Sequence, residues 1–179
     1  GKDASGRAQT GTGKTAAFLL AILNHVLKNP LQENQQAGTP RALVIAPTRE
    51  LVVQIEEEAH DLAKYCKVTI LAVFGGMGYE QQRESLKAKD IDLIVATPGR
   101  LLDFKNQHVI HLQRVEVMVI DEADRMLDMG FIPDVRKIIL STAPKDQRQT
   151  MLFSATLTPE VTRLVGNWTR DPVKVEIEP

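Results

Sequence analysis

Five short apolar runs constrain the fold of this 179-residue chain more than any other feature. They are Leu43-Val44-Ile45-Ala46, Ile70-Leu71-Ala72-Val73-Phe74, Leu93-Ile94-Val95-Ala96, Val117-Met118-Val119-Ile120 and Met151-Leu152-Phe153. None alternates apolar with polar residues. A strand that is apolar at successive positions has both faces buried, as in a parallel sheet covered on each side by helices. The segments between the runs supply those helices. Thr15 to Leu27 is apolar on most sides and suits a helix packed on a sheet. Glu50 to Tyr65 is amphipathic, with Leu51, Ile55, Ala59 and Leu62 on one stripe. Gln81 to Lys89 is polar, Pro133 to Leu140 is mixed, and Pro159 to Trp168 opens with a proline suited to a first helical turn. Val173, Val175 and Ile177 alternate and predict a last strand. Lys28 to Arg41 reads as a surface loop. Strands alternating with helices specify an open α/β fold, a parallel sheet flanked by helices on both faces.

Composition narrows the class. The chain is 43% apolar and 25% charged, with a net charge of −1, which are globular proportions and exclude a strongly basic tail. No run of about 18 apolar residues is present, so no transmembrane helix is expected. Cys66 is the only cysteine, which leaves no internal disulfide and no cysteine zinc site; a reducing, cytoplasmic location is expected. The N-terminal residues, Gly1 to Gly6, match neither a signal nor a transit peptide. There is no initial methionine and the first motif arrives within ten residues, so the chain reads as a piece of something larger.

The residues just past the strands point to chemistry. Four runs end in polar or turn-forming clusters: Pro47-Thr48-Arg49-Glu50, Thr97-Pro98-Gly99-Arg100, Asp121-Glu122-Ala123-Asp124 and Ser154-Ala155-Thr156. In open parallel sheets ligands bind beyond the carboxyl ends of strands, so these clusters should gather on one edge. Ala8-Gln9-Thr10-Gly11-Thr12-Gly13-Lys14-Thr15 matches the phosphate-loop pattern except for Ala8 in place of the first glycine. Glycines let backbone N–H groups curl around a polyphosphate, and a helix starting near Lys14 points its positive dipole end at the same oxygens. Lys14 would place an ammonium on the phosphates and Thr15 a hydroxyl on Mg²⁺. This requires a strand before the loop, yet Lys2 to Arg7 is a poor strand by composition.

Asp121-Glu122 comes directly after a strand, where such a protein needs an acidic site. Asp121 would hold Mg²⁺, partly through water, and Glu122 would orient or deprotonate the attacking water. The alternative is an acidic turn capping a helix that runs to Met129. Ser154-Ala155-Thr156 offers two hydroxyls, which gain meaning through Asp124 as an acceptor. Arg49 and Arg100 stand beside predicted helix starts, where backbone N–H groups bind phosphates, and Gly75-Gly76 permits close backbone approach. None of these reads bases. His108-x-x-His111 lacks a third ligand nearby and reads as surface. Cys66, Trp168 and Met126 to Phe131 read as packing.

As a set, Ala8 to Thr15, Pro47-Thr48-Arg49-Glu50-Leu51, Gly75-Gly76, Thr97-Pro98-Gly99-Arg100, Asp121-Glu122-Ala123-Asp124 and Ser154-Ala155-Thr156 resemble, in order, the motifs of DEAD-box RNA helicases. The likeness spans essentially the whole chain, and alanine at the first loop position is that family's habit. Arg41-Ala42-Leu43, Val52-Val53-Gln54-Ile55, Asp128 to Pro133 and Val175-Glu176-Ile177-Glu178-Pro179 look most like bacterial members that serve RNA degradation. The resemblance implies a RecA-like first helicase domain over residues 1–179. It implies ATP and Mg²⁺ on Gln9 to Thr15 and Asp121-Glu122, and an RNA backbone facing Pro47, Thr48, Arg49, Gly76, Thr97, Gly99 and Arg100. It also implies that Ser154, Thr156 and Asp124 link hydrolysis to strand separation. An adenine-reading glutamine motif before Gly1 and a second RecA-like domain after Pro179 are expected. A DNA translocase, another phosphate-loop NTPase and a non-catalytic RNA-binding module are the competing readings. The Asp121-to-Asp124 and Pro47-to-Leu51 sequences argue against the first two, and intact Lys14, Thr15, Asp121 and Glu122 against the third.

Overall fold

Each apolar run becomes a strand of one parallel sheet. The computed structural model describes residues 1–9, 11–31, 35–76 and 78–177. The strands are β1 (Ala4–Arg7), β2 (Ala42–Ile45), β3 (Ile70–Val73), β4 (Leu93–Ala96), β5 (Val117–Ile120), β6 (Gln149–Ser154) and β7 (Val173–Glu176). Their order across the sheet is β3-β4-β2-β5-β6-β1-β7, and every pairing is parallel. The helices are α1 (Lys14–Lys28), α2 (Arg49–Leu62), α3 (Tyr79–Ser85), α4 (Pro98–Asn106), α5 (Ala123–Asp128), α6 (Ile132–Leu140) and α7 (Pro159–Trp168).

Successive residues of a strand point to opposite faces, so continuous apolar strands feed two cores. Leu43, Ile45, Ile94, Met118, Ile120 and Leu152 meet side chains of α4 to α7 on one face. Ala42, Val44, Leu93, Val95, Val117 and Val119 meet α1 and α2 on the other. β2, β4 and β5 are buried at every position, which is why their sequences carry no polar alternation. On α1, Phe18, Leu19, Ile22 and Val26 form the buried stripe. Burying each such side chain contributes about 1.5–3 kcal/mol.

β1, a poor strand by composition, nevertheless forms between β6 and β7. Its small residues have a packing reason. A Cβ on Gly6 would lie 2.5 Å from Phe153 Cδ1, so a larger residue would have to displace that ring. β7 forms where the alternation of Val173 and Val175 predicts, but as an edge strand exposed at all four positions. In α2, Leu62 is exposed and Val52 joins Ile55 and Ala59 in the buried stripe.

Because every strand runs the same way, every strand–helix turn emerges on one edge. The glycine loop after β1, Pro47-Thr48 after β2, Gly75-Gly76 after β3, Thr97 after β4, Asp121-Glu122 after β5 and Ala155-Thr156 after β6 share it. No helix among the described residues is long and apolar enough to cross a membrane.

Candidate nucleotide site and backbone-gripping edge

Local geometry prepares the glycine loop for an anion. Gly11 and Gly13 have φ of 85° and 83°, left-handed conformations that a side chain would strain. A Cβ at either position would meet nothing within 4 Å, so the loop faces open space. Gly13 caps α1 without any side-chain hydrogen bond, leaving first-turn N–H groups for another acceptor. Ala8 is buried, and its N–H donates to the Ser154 carbonyl at 3.1 Å, tying the loop's first residue to the end of β6. Thr12 Oγ1 donates to the Gln9 carbonyl at 2.9 Å across the turn. Thr10 lies outside the described residues.

The loop is joined to the acidic cluster by one buried contact. Lys14 Nζ donates to Asp121 Oδ1 at 2.6 Å, with side-chain exposures of 8% and 0%. β6 lies between β1 and β5, the strands that lead to these two residues, so the pair bridges turns two strands apart. Asp121 Oδ2 is buried and accepts no hydrogen bond from any described residue. An anionic oxygen without a donor is costly unless a cation completes it. Thr15 lies on the same cavity wall, so a carboxylate and a hydroxyl face one space. That donor set fits a hard divalent cation that takes its remaining oxygens from water and phosphate.

Glu122 has φ of 52°, a left-handed turn that directs it away from Asp121. Its N–H donates to Asp121 Oδ1 at 3.0 Å, and its carboxylate lies 3.4 Å from Arg125 Nη1. The cavity enclosed by these groups measures about 260 Å³. Gly11, Gly13, Lys14, Thr15, Asp121 and Glu122 line it, with Leu51, Gln54, Ile55 and Glu58 of α2 opposite. Sequence reasoning assigns those α2 residues no place in the nucleotide site: Leu51 and Ile55 read there as a packing stripe, and Gln54 and Glu58 stand out in no motif for phosphate chemistry. A larger cavity of about 580 Å³ is lined by residues including His25, Arg41 and Glu116, away from the glycine loop. His25 and Arg41 both pair with Glu116 there.

The hydroxyl cluster divides. Thr156 Oγ1 donates to Asp124 Oδ2 at 3.2 Å, linking the end of β6 to α5. Ser154 Oγ is buried and makes no hydrogen bond among the described residues. Further along the edge, Thr48 caps α2, accepting from the Leu51 N–H at 3.2 Å, and Pro47 is buried beneath it. Arg49 is about half exposed and lies beside Gly76, where a Cβ would sit 3.2 Å from Arg49 Nη1. Thr97 is the first residue before α4, its hydroxyl not used as a cap, and a Cβ on Gly99 would meet nothing within 4 Å. Arg100 Nη1 donates to Gln82 Oε1 at 3.2 Å. Among the described residues, no group of three or more His, Cys, Asp or Glu side chains could hold a metal, and His108-x-x-His111 forms none.

A glycine loop capping the first helix of a parallel sheet, with a buried Asp two strands away held by the loop lysine, defines a phosphate-loop nucleotide-binding domain. A family model described as DEAD/DEAH box helicase matches residues 1–164, and the chain belongs to that family. The ATP-dependent RNA helicase RhlB of Pseudomonas putida is 57% identical over 179 residues, covering 100% of this chain and 45% of its own length. The Shewanella oneidensis protein of the same name is 47% identical over 178 residues, covering 99% of this chain and 40% of its own. The sequence likeness to bacterial members is thus borne out. Among solved structures, the yeast DEAD-box splicing factor Prp28 superposes with a TM-score of 0.91 at 35% identity, covering 99% of this chain and 42% of that one. A hypothetical ATP-dependent RNA helicase from Sulfolobus tokodaii gives 0.83 at 37% identity, covering 98% and 48%. The RecA-like fold is therefore established. The chain spans less than half the length of the curated relatives it matches.

Proposed function

We propose that this chain is the first RecA-like domain of an ATP-dependent RNA helicase, in which ATP binding and hydrolysis drive local RNA duplex separation. The observation that carries this reading is the buried Lys14–Asp121 pair beside an open glycine loop. Backbone N–H groups of Gly11 to Thr15 bind the phosphates, and the Lys14 ammonium, already fixed by Asp121, sets their register. Thr15 and Asp121 would hold Mg²⁺, which when bound supplies positive charge to the phosphate oxygens. Glu122 faces the same cavity from its left-handed turn and orients, or takes a proton from, the attacking water.

The RNA backbone lies across Pro47, Thr48, Arg49, Gly76, Thr97, Gly99 and Arg100, on the edge that also carries the nucleotide site. Helix N-termini and arginines hold a sugar-phosphate chain by shape and read no sequence. A net charge of −1 is no obstacle, because the grip is local. The Thr156–Asp124 bond joins the end of β6 to the helix just past the acidic pair, a physical route from hydrolysis to the RNA edge. Ser154 belongs to the same joint through its carbonyl bond to Ala8. A glutamine motif upstream and a second RecA-like domain downstream would complete the ATP and RNA sites on domain closure. A cytoplasmic location and a place in an RNA-degrading complex are part of the same proposal.

Duplex separation tests the two-domain part. The protein carrying both domains should separate a short RNA duplex in ATP, and residues 1–179 alone should separate none. Appreciable unwinding by the isolated chain would overturn the requirement for a second domain.

A further inference from the structure

Gln82 lies on α3, outside every motif, yet it joins two parts of the RNA edge. The Phe74 N–H donates to Gln82 Oε1 at 3.1 Å, and Gln82 Nε2 donates to the Phe74 carbonyl at 3.0 Å. One side chain thereby satisfies both main-chain groups of the residue that leads from β3 into Gly75-Gly76, as a neighbouring strand would. The same Oε1 accepts from Arg100 Nη1 at 3.2 Å. The Arg100 guanidinium lies over the rings of Tyr79 and Phe104, 5.1 and 5.7 Å from their centroids, and the two rings are 5.0 Å apart. Tyr79 is tied to α4 in turn, its hydroxyl donating to Gln107.

Among the described residues, Arg100 has no carboxylate within ion-pair distance. Its orientation is set by a neutral amide and two ring faces, which leave its charge uncompensated. A salt-bridged arginine must surrender a partner before it can bind a phosphate; one held by neutral groups need not. Gly76, with φ of 95°, stands two residues beyond the Phe74 backbone that Gln82 clamps.

We propose that Gln82 is a positioning residue that locks Arg100 and the Gly75-Gly76 turn into one phosphate-gripping unit. The inference rests on the assignment of Arg100 and Gly76 to the RNA face. Gln82 acts through both, because its amide bonds at once to Arg100 and to the residue that opens the turn.

The test is RNA-stimulated ATPase of the two-domain protein, titrated with single-stranded RNA, for Gln82→Ala, Gln82→Glu, Arg100→Ala and the double alanine variant. Gln82→Ala should raise the KM for RNA about tenfold, with a smaller effect on kcat. Gln82→Glu places a carboxylate against Arg100, compensating its charge, and loses the donor to the Phe74 carbonyl, so it should not recover that loss; recovery to the unaltered KM would overturn the role of a neutral amide. The double variant should fall well short of the product of the single effects, since the two residues act together. If Arg100→Ala raises the RNA KM and Gln82→Ala leaves it within about twofold, the positioning role is overturned while the RNA face stands. If Arg100→Ala itself leaves the RNA KM unchanged, the RNA face fails and the inference falls with it. A loss of melting temperature and kcat in Gln82→Ala with an unchanged KM would show a structural role only and also overturn it.

Discussion

Lys14→Ala is expected to abolish nucleotide binding, with calorimetric affinity falling by at least about a hundredfold in the two-domain protein, as befits a buried charge-assisted contact. The substitution removes the Lys14 ammonium that the fold places at the glycine loop and leaves the Gly11 and Gly13 backbone intact. It has a second cost. Asp121 is fully buried, and Lys14 is its counter-ion at 2.6 Å. Breaking a buried pair by removing one partner destabilises by about 3–5 kcal/mol, so the variant should also melt early. The two effects separate in Lys14→Ala combined with Asp121→Asn. A neutral amide in place of the stranded carboxylate should restore much of the melting temperature and none of the nucleotide affinity. Unchanged calorimetric affinity in Lys14→Ala would contradict the phosphate-loop assignment.

Glu122→Gln should separate binding from turnover. Gln is isosteric, keeps the backbone N–H that donates to Asp121 Oδ1, and does not disturb the Lys14–Asp121 pair. Nucleotide affinity should therefore hold. RNA-stimulated turnover should fall about 10²–10⁴-fold, the usual contribution of a positioned general base. The left-handed backbone at Glu122 supports this division of roles. A non-glycine residue at φ of 52° carries strain of about 1–3 kcal/mol, and here it turns Glu122 aside while Asp121 remains bound to Lys14. Turnover close to that of the unaltered protein would remove Glu122 from the chemistry.

The two-faced burial of the sheet made its central strands legible. β2, β4 and β5 had to be apolar throughout, and their sequences show it directly. β1 was less legible because close packing against Phe153 demanded Gly6, and Ser5 and Gly6 are residues that by composition argue against a strand. β7 was legible for a different reason. Its alternation survives although neither of its faces is covered.

At the site, residue types that chemistry requires could be read locally: glycines with a lysine after them, and paired acids after a strand. Contacts across the chain could not. The Lys14–Asp121 pair spans 107 positions and depends on a strand order that no local pattern encodes. The Thr156–Asp124 bond was anticipated from residue types, whereas the Ser154 hydroxyl makes no comparable contact. Gln82 stayed hidden because a glutamine in a polar helix resembles any solvated residue, and only the fold brings it against Phe74 and Arg100.

The most direct test of the central claim is the steady-state ATPase rate of the two-domain protein with RNA, with DNA and with neither. Stimulation by RNA alone is expected, because the glycine loop and acidic pair would act on ATP while the neighbouring edge grips an RNA backbone. Equal stimulation by DNA, or tight RNA binding with no ATPase under any of the three conditions, would contradict it.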